Sequence, residues 1–180
     1  MLLYSTNCKE HGVEKFFNVH FVFFTMRKTR EAFIWIINIL NKNKIPYRIE
    51  GGFAAITYGS KRTLADIDID VPDKCFRKIL SNVKKYIVKG ANRYKDKNWD
   101  VLGLELKYKG QEIGLVGSDT AKIFDKTKGR WIKFKVDFSK VTKKKICGKI
   151  ANIIRKQDLI YYKNKIARRV DIKDVRELSH

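Results

Sequence analysis

The chain has 180 residues, 44% of them apolar, enough for one domain with a core of its own. Forty Lys and Arg against 19 Asp and Glu give a net charge of +21, which points to anionic partners: nucleic acid, nucleotide phosphates or acidic lipid. Three scattered cysteines (Cys8, Cys75, Cys147) and three histidines exclude a disulfide framework and give zinc poor material, which fits a reducing cytoplasm.

No apolar run reaches the roughly 18 residues that a bilayer span needs, so no membrane role is expected. The aromatic stretch 16–24 lacks the flanks of a signal peptide and reads as a buried or edge strand. Residues 1–25 read as an extension, with Met26 a plausible natural start, ahead of a single domain over 26–180. A helix is expected over 27–43, with Ala32, Phe33, Ile36, Ile37 and Leu40 on one face and Pro46 beyond its end. A short strand over 47–50 leads to Gly51-Gly52, and the small residues of 53–58 predict a short helix or turn.

Residues 65–71 alternate strictly, so Ile67, Ile69 and Val71 share one face of a strand and Asp66, Asp68 and Asp70 the other. Phe76, Ile79, Leu80, Val83 and Ile87 mark a second helix. A hairpin follows over 101–108 and 112–116, around Lys109-Gly110. Alternation predicts a strand over 131–138 that carries Asp137, and 150–154 reads as another. Two helices close the chain: 158–169, with Asp158 as N-cap, and 171–178, with Ile172, Val175 and Leu178 inward.

Carboxylates at i and i+2 of a strand emerge together, and Mg²⁺ favours one or two carboxylates completed by phosphate oxygens and water. Asp66 and Asp68 are therefore candidate ligands for Mg²⁺ or Mn²⁺. Gly51 and Gly52 offer backbone N–H groups to a triphosphate with no Cβ in the way, and Arg62 offers a planar fork for its oxygens. The competing reading is a solvated strand edge whose charges resist aggregation.

Gly51-Gly52, Gly59, Arg62 and Asp66-Ile67-Asp68-Ile69 resemble the signature of the DNA polymerase β-type nucleotidyltransferase superfamily. The spacing is similar to the branch that holds lincosamide nucleotidyltransferases and abortive-infection nucleotidyltransferase toxins. Residues 158–178 are similar to that branch's closing helices, where a Lys, here Lys163, and an Arg–Asp pair shape the nucleotide cleft.

The resemblance implies an α/β (α+β) fold, with a small mixed sheet flanked by helices and C-terminal helices following. It also implies transfer of a nucleoside monophosphate from an NTP to a hydroxyl. Asp66 and Asp68 would hold metal, while Gly51, Gly52, Ser60, Arg62 and Lys163 would seat the nucleotide. As the third carboxylate Asp137 fits best; Glu112 is the runner-up, and Asp70 is a further possibility from the metal strand itself. The +21 charge leans the acceptor toward RNA, tRNA especially. Two other readings stay open: a catalytically silent nucleic-acid-binding module, and a toxin–antitoxin component that docks an acidic protein.

Overall fold

The computed structural model describes residues 14–179, with side chains from 27 onward. Helix α1 (Glu14–Lys42) buries Ala32, Phe33, Ile36, Ile37 and Leu40, the face expected from their spacing. It begins earlier than expected. The backbone of 16–24 is helical rather than a strand, because extending an existing helix fixes one residue per hydrogen bond and needs no new nucleus.

Nine strands form one sheet among the described residues. They are β1 (Arg48–Ile49), β2 (Asp66–Val71), β3 (Ile87–Lys95), β4 (Trp99–Tyr108), β5 (Gln111–Gly117), β6 (Lys122–Asp125), β7 (Arg130–Lys133), β8 (Val141–Ile146) and β9 (Lys149–Ile154). The order is β3-β4-β5-β2-β1-β9-β8, and β6-β7 joins β4 on its β5 side. β2 runs parallel to β5 and antiparallel to β1; β1 runs parallel to β9. Helix α2 (Gly51–Thr57) packs on β2, α3 (Phe76–Val83) on α1, and α4 (Lys156–Ile166) on α5 (Arg169–Leu178), α2 and β6. Ile67, Ile69 and Val71 enter the core with Ile79, Val83, Leu104, Leu106, Ile113 and Leu115. Among the described residues no helix is long and apolar enough to cross a membrane.

Four local expectations fail for identifiable reasons. Ile87 opens β3 instead of continuing α3: the helix ends at Val83 and a 3-10 turn covers Lys84–Tyr86. The strand expected over 131–138 stops at Lys133. Beyond it the Asp137 carboxylate accepts from the Ser139 N–H (3.0 Å) and Ser139 Oγ (2.6 Å), a local turn that competes with pairing. Asp158 lies inside the first turn of α4, held by Arg155 at 2.6 Å, and Arg155 occupies the N-cap. In α5 Ile172 is 53% exposed, and Asp171, Asp174 and Leu178 face inward.

Candidate active site

The sheet register arranges the acidic side chains in rows. On one face Asp66 of β2 lies opposite Glu112 of β5, which lies opposite Lys107 of β4. One step along, Asp68 lies opposite Gly114, which lies opposite Glu105. Asp68 is wedged between two glycines. A Cβ on Gly51 would fall inside van der Waals contact with Asp68 Oδ2, and one on Gly114 would lie 3.1 Å from Oδ1. Gly51 also holds φ at +65°, a conformation that strains any side chain. Its N–H donates to the buried Tyr162 Oη at 3.1 Å, which fixes the start of α2 beside the aspartate.

Burial pushes the Asp68 carboxyl up to about 7, and the neighbouring Asp66 charge adds to the rise. Burial also raises Asp66, against the opposing charge of Arg62, and Glu112 raises it further. Such mutual repulsion is what a shared cation relieves. Among the described residues no three His, Cys, Asp or Glu side chains are already gathered to hold a metal ion. Two carboxylates completed by phosphate oxygens nevertheless match the habit of Mg²⁺, so the donor set fits.

Asp70, the third acid of β2, is turned away from this work. It is fully buried, and its Oδ2 accepts from Arg48 Nε (2.9 Å) and Nη2 (2.7 Å). Asp137 is not brought to the aspartates. It is exposed, pairs with Lys140 at 3.4 Å, and does not line the cleft that contains Asp66, Asp68 and Glu112.

Behind the aspartates runs a string of alternating charges. Arg62 Nη1 meets Asp174 Oδ2 at 3.2 Å, and Lys163 Nζ meets Asp174 Oδ2 at 2.8 Å and Asp171 Oδ1 at 2.9 Å. Arg168 Nε closes the string on Asp171 Oδ2 at 2.7 Å. Lys163 is thus not a solvated cation: it is 0% exposed and reaches no ligand space. Ser60 is likewise committed, donating to Asp174 at 2.8 Å within a buried turn. Arg62 and Arg168 sit at the two ends of the string. The Arg62 guanidinium lies 3.1 Å from where a Gly52 Cβ would be, which explains the glycine. Arg168 lines the cleft and pulls the Asp66 and Asp68 carboxyls down.

The chain superposes on a candidate nucleotidyltransferase from Thermotoga maritima with a TM-score of 0.65 at 16% identity, covering 81% of this chain and 89% of that one. The fold is that of the nucleotidyltransferases. The lincosamide antibiotic adenylyltransferase LnuA, in its lincomycin-bound structure, matches at 16% identity and TM-score 0.54, over 83% of this chain and 95% of its own. The antibiotic-resistance factor ANT(2'')-Ia matches at 14% identity and TM-score 0.53, over 86% and 82%. No protein-family model matches the chain, and no curated protein matches it in sequence.

Sequence reasoning missed Glu50, Tyr94, Asp96 and Tyr162, all of which line the cleft. Their signal was weak because the residues come from separate elements and share no motif spacing. Glu112 was second choice for the same reason: only strand pairing places it opposite Asp66.

Proposed function

We propose that this chain is a divalent-metal-dependent nucleotidyltransferase that moves a nucleoside monophosphate from an NTP to a hydroxyl acceptor. The observation that carries this is the carboxylate row: Asp66 and Asp68 side by side, Asp68 seated between Gly51 and Gly114, and Glu112 opposite Asp66. Asp66 and Asp68, joined by Glu112, would hold Mg²⁺ or Mn²⁺, which supplies positive charge for the phosphoryl oxygens. Glu112 replaces Asp137 as third carboxylate. It would take the proton of the acceptor hydroxyl as that oxygen bonds to the α-phosphorus. The bond from that phosphorus to the bridging oxygen breaks, and pyrophosphate leaves with the electron pair. Arg62, packed above Gly52 and tied to Asp174, would reach the triphosphate from one side, and Arg168, which lines the cleft, from the other. Positioning and charge supply the rate, as phosphoryl transfer requires.

The fold shared with antibiotic-modifying adenylyltransferases supports this reading. The +21 charge supports a second, in which RNA or tRNA is the acceptor.

Incubation with α-labelled NTPs, Mg²⁺ or Mn²⁺ and a mixture of small polyols and total RNA tests the proposal. Label transfer is expected in the wild type. Asp66→Asn, Asp68→Asn and Glu112→Gln should each lower it at least ~100-fold, as should chelation, and Asp137→Asn should leave it within about twofold. Equal transfer by the Asp66 and Asp68 variants would overturn the assignment. Tight NTP binding with no transfer to any acceptor would mark a silent module instead.

A further inference from the structure

The sheet carries opposite charge on its two faces where β4 meets the β6–β7 ribbon. On one face Trp99 lines the cleft together with Asp66, Asp68, Asp96, Glu105 and Glu112. Side chains alternate along a strand, so Asp100 emerges on the other face, outside the cleft. Strand register carries that second face outward: Lys95 of β3 lies opposite Asp100, Asp100 opposite Lys122 of β6, and Lys122 opposite Lys133 of β7. Three strand spacings make this row ~14 Å long.

The row is short of negative charge. Asp100 is taken by the Arg93 guanidinium. Lys122 and Lys133, both exposed, stand directly opposite each other with no carboxylate between them, a pairing in which like charges repel. Lys126, Lys128 and Arg130 are exposed at the tip of the ribbon. Its one carboxylate, Asp125, is 1% exposed and meets Lys165 at 3.1 Å, so it offers these cations nothing.

In the next row Phe124 and Trp131 face each other, their ring centroids 5.6 Å apart and their planes at 73°. Both are half-buried, yet neither belongs to the hydrophobic core that takes up Ile123 and Ile132 from the other side of the ribbon. Lys95 Nζ lies 5.6 Å from the centroid of the Trp131 ring, so a flexible cation covers that π-face. The ribbon itself is fixed: the Lys126 N–H donates to the Lys165 carbonyl at 2.9 Å, and Lys165 Nζ donates to Thr127 Oγ1 at 3.2 Å. An aromatic pair held outside the core and bordered by unopposed cations is the arrangement on which unpaired bases stack, and a surface fixed in advance loses little entropy on binding.

We propose that the outer face of β6–β7, with Lys95 beside it, binds an unpaired stretch of RNA. One base stacks on the Trp131 face that Lys95 covers, its neighbour packs on Phe124, and Lys95, Lys122 and Lys133 pair with the phosphates on either side. A nucleic-acid strand brings a flat π-face with each negative charge, which matches aromatic rings set among lysines; an acidic peptide brings the charge without the ring. Loops and ends of folded RNA present such bases. The surface lies on the face of the sheet away from the carboxylate row, so it stands apart from the nucleotidyl-transfer reading.

Titration of the full chain by fluorescence anisotropy tests this, with a labelled single-stranded RNA of ~10 nucleotides, its abasic counterpart with the same phosphates, its deoxy counterpart, and polyglutamate. The base-bearing RNA is expected to bind at least ~10-fold tighter than the abasic strand. Trp131→Leu should remove that advantage and leave abasic binding within about twofold. Lys122→Gln combined with Lys133→Gln should weaken both strands and lower the salt slope by ~1.4, the share of two phosphates. Both lysines are exposed, so this pair tests the surface even if Trp131→Leu loosens the ribbon. Equal binding of base-bearing and abasic strands, tighter binding of the deoxy strand, or an unchanged base advantage in Trp131→Leu overturns the proposal. Polyglutamate binding as tight as that of RNA, and weakened by Trp131→Leu, overturns it in favour of an acidic protein partner.

Discussion

Asp68 shows the conflict between stability and function in one side chain. Its carboxyl titrates at about 7 in the fold against 3.8 for the ordinary group, because burial and Asp66 disfavour its charge. Between those pH values the unfolded chain has released a proton that the folded chain still holds. Stability of the metal-free protein should therefore fall as pH rises from about 4 to about 7, and stay low above that. Asp68→Asn keeps the shape and removes the charge. At pH 8 and without divalent ions it should be more stable than wild type by ~1–3 kcal/mol in urea denaturation, while catalysis is lost. A less stable Asn variant would mean that the Asp68 charge is compensated within the protein. The cation competes with the same proton, so Mg²⁺ binding should tighten as pH rises through about 7.

At the scale of elements, the two closing helices act through their buried face. α5 presents Asp171 and Asp174 inward where an amphipathic reading places Ile172, because Lys163 of α4 lies fully buried opposite them. A buried ammonium with two carboxylates is costly to break, so Lys163→Met should destabilise the protein by ~3–5 kcal/mol, measured by urea denaturation. It should also raise KM for NTP, because Asp174 and Asp171 hold Arg62 and Arg168. A destabilisation below ~1 kcal/mol would mean that the string carries little weight. The branch resemblance implied that this lysine helps seat the nucleotide; its burial against Asp171 and Asp174 supports a positioning role.

Over the whole molecule, charge divides between an exterior rich in lysine and a cleft rich in carboxylates. Lys84 and Lys85 follow α3, Lys143, Lys144 and Lys145 lie on the edge strand β8, and Lys95 and Lys97 flank the β3–β4 turn. This exterior should bind tRNA without regard to sequence. Affinity should fall roughly 10³-fold between 50 and 200 mM salt, as polyanion binding through several phosphates does, and a filter-binding series measures it. Asp68→Asn should bind tRNA as wild type does, because the attraction lies outside the cleft. A flat salt response would remove the exterior as a polyanion surface.

Local patterns were enough for the α1 core face, the alternating β2 strand and the Gly51-Gly52 break after β1, because each depends on periodicity or on a glycine conformation within a few residues; the fold class followed from the motif resemblance. Residues 131–138 misled because an Asp–Ser turn outcompetes strand pairing, and alternation cannot register that. The placement of Glu112 beside Asp66 and of Asp137 outside the cleft, the burial of Lys163 and the acidity of the cleft were decided by tertiary structure alone. Strand register brings together residues some 45 positions apart, and only a closed core can turn a surface-like lysine into a buried counterion. Net charge is a sum over the chain, whereas a ligand meets the field of the few side chains that the fold turns toward it.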